Sequence, residues 1–487
     1  MEGLKTFEPG FDYLAKTFAG LEEVLAKELT DLGAKDVEII KRGASFRGDE
    51  ELLYKCNYLC RTAIRILKPI GVFEAKSNDQ LYEKVKKIDW TNIFDLNQSF
   101  IINANVFYSE VDHSHFASLR VKDAIVDQFR GKKGRRPWVN IEKPDIYIDV
   151  HIAHDICTIS LDSSGESLHK REYKIAVDKA PINEILAAGM IKLSGWDASM
   201  DLIDPMCGSG TIPMEAAMIA MNIPAGYYRE KYAFQNWNDF NTELWEKVKN
   251  EANEKISETE CNIIASDRSV VAVNITKRNL KNAGLHKDVT TENKYFDQLI
   301  PESKNGVLIF NPPYGKRLEE RGELRDLYRG IGDTLKTNFS GFTAWIITPN
   351  AEASKFIGLR PSKKYDLYNG PIETKYMKFD LYEGSKKEKY KSDSDKPKSE
   401  NKFKKKTFSP SWDNDKEFSS YEKNSRRHRK PKSTDDKKKF EGDRKKNFRS
   451  KTEDSPSKPS GERKSFRRDE PTNPNKRTRR PRKPKDE

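Results

Sequence analysis

Two short stretches hold residue types that together suit a flat ligand with a polar edge. Residues 306–314 read GVLIFNPPY, an apolar run of the kind that fills a buried parallel strand, followed by Asn311, Pro312, Pro313 and Tyr314. Neither proline has an N–H to donate, so the ladder stops and an extended turn is forced. That turn falls at the carboxyl end of the strand, where open α/β sheets bind their ligands. The Asn311 side-chain oxygen and the Pro312 carbonyl can both accept from the exocyclic amine of a base. Tyr314 can stack on the face of that base. A turn that merely ends a strand explains the prolines, but not the amide before them and the ring after them.

The second stretch is DPMCGSGT, Asp204 to Thr211. It lies between a strand pattern (DLID) and a helix pattern (TIPMEAAMIAM), and Gly208 and Gly210 allow a tight turn close to a ligand. Pro213 sits in the first helical turn, where a missing N–H is tolerated. A phosphate loop is excluded because no GK[ST] follows, and the full GxGxxG fails because residue 213 is proline. The loop therefore suits a nucleotide cofactor without a pyrophosphate. Asp267 ends the next strand pattern, NIIASD, where a carboxylate can accept both ribose hydroxyls.

These loops need a frame, and strict strand–helix alternation supplies one. Helix APINEILAAGMIKLSGW leads to DLID and its helix. NIIASD and helix SVVAVNITKRNLKNAG come next, the helix capped by Gly284. VTTENKYFD, GVLIF, helix ELRDLYRGIGDTLKTNF and strands FTAWIIT and KYMKFDLY complete the series. That order predicts a doubly wound, mostly parallel α/β domain over 166–384. The insertion MNIPAGYYREKYAFQNWNDFNTELW reads as packing over the sheet rather than a pocket wall. Before residue 165, helical patterns (LEEVLAKELTDLG, ELLYKCNYLCRTAIRIL, VKDAIVDQFR) alternate with strand patterns (VEIIKRGASFRG, FIINANVFYS, DIYIDVHIAHDICTISLD), an α+β region. Within it, QFRGKKGRRPWV interleaves cations with Trp138 and is a candidate RNA-contact loop.

The charge is unevenly divided. After Leu381 the chain has no Ile, Leu, Val, Met, Ala or Cys. Residues 385–487 hold 37 Lys and Arg against 19 Asp and Glu, a net of +18, whereas the remainder nets −5. Such a tail cannot bury enough apolar surface to offset its ordering entropy, so it is expected to be a disordered basic arm suited to RNA. The chain start lacks a signal-peptide pattern, and no run reaches the ~18 apolar residues of a membrane span. Five scattered cysteines form no CxxC and read as reduced thiols, and seven histidines form no ligand cluster. A cytoplasmic protein with neither membrane nor metal partner is expected.

DPMCGSGT, the Asp267 strand end and NPPYG together resemble a class I S-adenosylmethionine (SAM)-dependent methyltransferase acting on a base amine. GLEEVLAKELTDLGA, SFRG, CNYLCRTAIRIL, LYEKVKKIDW, RVKDAIVDQFR, SLHKREYK, APINEILAAGMIKLSGW and AFQNWNDF extend the similarity to the bacterial RlmL/YpsC-type family over nearly all of residues 4–384. The resemblance implies a Rossmann-like catalytic domain preceded by a ferredoxin-like element and a THUMP RNA-binding domain within residues 1–165. It also implies N2-methylation of a guanine in large-subunit rRNA. Asp204, Cys207, Gly208, Ser209 and Gly210 would then surround the cofactor's methionine end, Asp267 its ribose, and Asn311 to Tyr314 the target base. Such families place an acidic residue after the third strand to meet the adenine amine, and here Asn293 and Asp297 are rival candidates. NPPY also serves enzymes that methylate adenine N6, tRNA guanine is a close alternative substrate, and a catalytically silent RNA-binding protein is a further reading.

Overall fold

Period-two alternation in the first third of the chain builds a mixed sheet of eight strands. The computed structural model describes residues 12–111, 113–177, 181–314, 321–349 and 351–382. The expected disordered tail, 385–487, lies outside them. Strands β1 (Asp12–Lys16), β2 (Lys35–Ile40), β3 (Gly43–Arg47), β4 (Arg65–Glu74), β5 (Ser99–Phe107), β6 (Trp138–Val139), β7 (Ile146–Ala153) and β8 (Ile156–Asp162) pair in the order β2-β3-β1-β4-β8-β7-β5-β6. The β5–β6 and β5–β7 pairs are parallel and the others antiparallel. Helix Glu50–Leu59 starts at Asp49, whose carboxylate accepts from the Leu52 amide at 2.9 Å.

One expectation is corrected in this region. ELLYKCNYLCRTAIRIL is helical only as far as Leu59, and Arg65 to Leu67 open β4. Extended backbone at Cys60 ends the helix, and Ile66 then pairs with Ala15 across the sheet with both side chains fully buried. A β-branched residue between two strands gains more from that cross-strand packing than from helix propensity.

The second sheet has seven strands: β9 (Asp201–Asp204), β10 (Ile263–Ser266), β11 (Val289–Glu292), β12 (Gly306–Phe310), β13 (Thr343–Thr348), β14 (Lys363–Asn369) and β15 (Ile372–Asp380). Their order is β11-β10-β9-β12-β13-β15-β14. The first five run parallel, and β15 is antiparallel to both β13 and β14. The chain reverses its direction of winding between β9 and β12, so the crevice above their carboxyl ends is the ligand position.

Buried polar contacts fasten the two sheets' domains together. The Arg61 guanidinium donates from Nη2 to the carbonyls of Met218 and Ile223 at 3.0 and 2.6 Å. Arg171 returns a bond from its own Nη2 to the Arg61 carbonyl at 2.6 Å and pairs with Glu215 at 3.4 Å. Tyr173 also donates to Glu215, at 2.9 Å. Met218 and Glu215 lie on helix Thr211–Ala220, which follows the glycine loop. The domain of the first sheet is therefore fixed to the helix that follows the glycine loop. The aromatic insertion strengthens the same junction, since Phe234 and Trp245 pack on Tyr54 and Trp245 also packs on Tyr58. None of its rings lines either cleft described below.

Candidate active site

Three strand ends meet at the switch point. Ala265 of β10 pairs with Asp204 of β9, and Leu308 of β12 pairs with Ile203. This register brings Asp204, Asp267 and Asn311 to one edge of the sheet. Asp204 is buried (1% exposed), and its Oδ1 accepts the Met206 amide at 3.1 Å. Burial raises its carboxyl pKa well above the usual carboxylate range, and the nearby Asp267 charge adds to that. The buried Cys207 thiol is likewise pushed well up, so it is a packed side chain rather than a reactive one.

The glycine loop is held from behind by helix Val270–Asn282. Thr276 donates its hydroxyl to the Gly208 carbonyl at 3.0 Å, and Asn279 donates Nδ2 to the Ser209 carbonyl at 3.1 Å. From the front, the Gly208 amide donates to Asp267 Oδ2 at 3.1 Å. Gly208 and Gly210 both have left-handed backbones, at φ 57° and 83°. A Cβ on Gly210 would stand 2.7 Å from Thr276 Cγ2, whereas one on Gly208 would meet nothing within 4 Å. Gly208 also lines a cleft, so the space beside it is open. The two alanine variants are therefore expected to separate. Gly210→Ala should lower folding stability by about 1–3 kcal/mol in a urea melt. Gly208→Ala should lose only about 1–2 kcal/mol of stability for its handedness, and its added methyl should weaken cofactor binding more than the Gly210 change does.

Two clefts share Asn311 and Pro313 as a common wall. The first, about 410 Å³, is lined by Met206, Gly208, Asp267, Tyr295, Phe296 and Asp297 among others. Its glycine approach, its carboxylates and its apolar floor fit a nucleoside bearing a small charged arm. The second, about 480 Å³, lies on the other side of the NPPY turn and is walled by Tyr314, Asn369, Phe18, His169 and Glu184. Asn369 donates to the Tyr314 hydroxyl at 2.7 Å, which fixes the ring in place. The Asn311 Oδ1 is buried and has no hydrogen-bond partner among the described residues. A buried acceptor left without a donor is unfavourable, and this one stands where the two clefts meet.

The predicted residues divide by position. Gly208, Asp267, Asp297, Asn311 and Pro313 line the first cleft, and Asn311, Pro312, Pro313 and Tyr314 line the second. Asp204, Cys207, Ser209 and Gly210 line neither and shape the loop beneath. Between the two rivals, Asn293 donates Nδ2 to the Asp267 carbonyl at 2.9 Å and supports that turn, whereas Asp297 reaches the cleft. Sequence reading missed Asn279, a fully buried residue that also accepts the Ile175 and Ala176 amides at 3.0 and 3.1 Å. Its signal was a lone amide on the apolar face of a helix. Phe18, His169 and Glu184 were missed as well. Burial lowers the His169 imidazole below its usual pKa, which favours the neutral ring, and Nδ1 lies 2.8 Å from Ser167 Oγ. Among the described residues no His, Cys, Asp and Glu group is arranged to hold a metal, and no helix is long and apolar enough to cross a membrane.

Strand order, glycine loop and paired clefts define a class I SAM-dependent methyltransferase. Family comparison is specific: a ferredoxin-like domain of the RlmL type matches residues 12–67, a THUMP domain 75–162, and an RMKL-like methyltransferase domain 171–378. The chain is 38% identical over 371 residues to "Putative RNA methyltransferase slr0064" of Synechocystis sp., covering 76% of this chain and 97% of that protein. It is 39% identical over 383 residues to "Ribosomal RNA large subunit methyltransferase K/L" of Syntrophotalea carbinolica, spanning 76% of this chain but only 54% of that longer relative. The solved structure of SMU.472, described as "a putative methyltransferase complexed with SAH", superposes with a TM-score of 0.71 at 30% identity, covering 78% of this chain and all of that one. The chain belongs to this RMKL-like, THUMP-bearing methyltransferase family, and its cofactor is SAM.

Proposed function

We propose that the protein methylates the N2 amine of a guanine in large-subunit rRNA. The orphaned Asn311 Oδ1, buried between the two clefts, is the observation that carries this reading. SAM supplies an electrophilic methyl group, so no strong base is required of the protein. An exocyclic amine is a poor nucleophile because its lone pair is delocalised into the ring. By accepting hydrogen bonds from its N–H groups, Asn311 Oδ1 and the Pro312 carbonyl draw the nitrogen towards a usable lone pair and stabilise the positive charge that grows on it until the methylated nitrogen releases its extra proton to water. Tyr314 holds the base by stacking. Asp204 and the glycine loop hold the methionine end of the cofactor, Asp267 the ribose and Asp297 the adenine amine. The remaining acceleration comes from placement of the two reacting groups across the NPPY wall.

RNA delivery is assigned to the THUMP region. Trp138 is 75% exposed, and with Arg130, Arg135 and Arg136 it lines a hollow that suits phosphate contact and base stacking. The name of the Syntrophotalea relative points to the large ribosomal subunit as the source of substrate. The test is incubation with labelled SAM and separate pools of unmodified large-subunit rRNA, small-subunit rRNA, tRNA and DNA, with the product nucleoside identified by mass spectrometry. N2-methylguanosine from large-subunit rRNA alone is the expected result. N6-methyladenosine, or label confined to another pool, refutes the assignment.

The basic residues of 385–487 are proposed to bind phosphates without regard to sequence. Truncation after residue 384 should weaken RNA binding and flatten the plot of log affinity against log salt by roughly 0.7–0.9 for each phosphate no longer neutralised. Methyl transfer should persist. An unchanged salt slope counts against the arm.

A further inference from the structure

The NPPY turn can hold either kind of base amine, so discrimination between purines must come from the rest of the second cleft. Guanine and adenine differ in the atom beside that amine. Next to the guanine N2 amine, ring N1 carries a hydrogen and donates. Next to the adenine N6 amine, ring N1 carries a lone pair and accepts. A charged acceptor placed beside the amine pocket therefore favours guanine and repels adenine.

Glu184 stands on that wall. It opens helix Glu184–Ser194 and lines the same cleft as Asn311, Pro312 and Tyr314. Its side chain is only 14% exposed, and Lys174 Nζ holds Oε1 at 2.5 Å. Among the described residues Oε2 has no hydrogen-bond donor. Lys174, 9% exposed, keeps this oxygen in place without competing for it. We infer that Glu184 is the residue that selects guanine, by accepting the N1–H through its free carboxylate oxygen. This rests on the guanine assignment above and supplies its specificity. A carboxylate in a helix's first turn with a lysine beside it also has a purely structural use, through the helix dipole and the ion pair. The two uses differ in what they predict for a changed base.

The experiment uses the full chain and large-subunit rRNA assembled by splinted ligation, with guanosine or 2-aminopurine at the labelled nucleotide. 2-Aminopurine keeps the N2 amine but has an accepting N1. Wild-type protein is expected to prefer guanosine by about 10- to 100-fold in kcat/KM, the worth of one charge-assisted hydrogen bond. In Glu184→Gln the amide can donate to N1 as well as accept from it, so the preference should shrink to within about threefold. Lys174→Gln breaks the same ion pair but leaves the acceptor, and should keep the preference. A Glu184→Gln enzyme that still discriminates, or a Lys174→Gln enzyme that loses discrimination equally, overturns the inference while N2-methylguanosine formation by the wild type leaves the guanine assignment standing. N6-methyladenosine as the wild-type product overturns both, and the nucleoside itself reveals which has failed.

Discussion

Asn311→Ala should reduce single-turnover methyl transfer by about 10²- to 10³-fold, the usual loss when one preorganised group facing developing charge is removed. Cofactor affinity, read by calorimetry, should stay within about twofold, because the glycine loop and Asp267 form the other wall of that cleft. Folding stability offers an independent check. The Asn311 Oδ1 is buried without a donor among the described residues, so its removal deletes an unfavourable group and should leave the urea midpoint unchanged or slightly raised. Asn311→Asp retains an acceptor of similar shape and should recover part of the lost rate. A structural role for Asn311 predicts the reverse pattern, with stability lost and turnover retained. Turnover within about threefold of wild type in the alanine variant would falsify the assignment.

How far the sequence disclosed this site depends on how local each signal is. The strand ends at Asp204, Asp267 and Asn311 were legible because an apolar run, a terminating residue and a helix start lie within about ten residues of one another. Gly208 and Gly210 were legible for the same reason, and the structure adds that they serve different purposes, one leaving room for a ligand and the other room for Thr276. The second cleft was not legible. Phe18, His169 and Glu184 reach it from three distant segments, and no periodicity marks a side chain whose partner is over a hundred residues away. Asn279 was hidden in the same way: its four bonds run to residues 175, 176 and 209. The choice between Asn293 and Asp297 turned on the path of a short loop, which propensity does not fix. Strand β14 was overlooked because KKYDLYN shows little apolar alternation, and as an edge strand it has only β15 to pair with. The helix wrongly extended through RTAIRIL was the mirror case, where a local pattern yielded to pairing across a sheet.

Asp204 shows why such a site is retained at some loss of stability. Its carboxylate is buried, with a pKa raised first by desolvation and then by the Asp267 charge, so the ionised form is unfavourable in the folded chain. Asp204→Asn keeps the shape and the acceptor for the Met206 amide while removing the charge. The ligand-free variant is therefore expected to melt higher than wild type near pH 7, by roughly 2–4 °C for each kcal/mol relieved. The pH dependence has a definite sign. Below about pH 4, the ordinary range of an aspartate in an unfolded chain, both states of the wild type hold the proton and the two proteins should melt alike. As pH rises the unfolded wild type releases the proton before the folded one, so the gap opens and then levels once pH exceeds the raised folded value. Cofactor binding should move the other way. With the proposed anchor for the methionine ammonium removed, SAM affinity should fall by about 10- to 100-fold, the worth of a charge-assisted bond. Melting curves at pH 4 and pH 8, together with calorimetry, measure both halves. A variant that melts lower at pH 8, or that binds SAM as tightly as wild type, would show that Asp204 braces the loop rather than serving the cofactor.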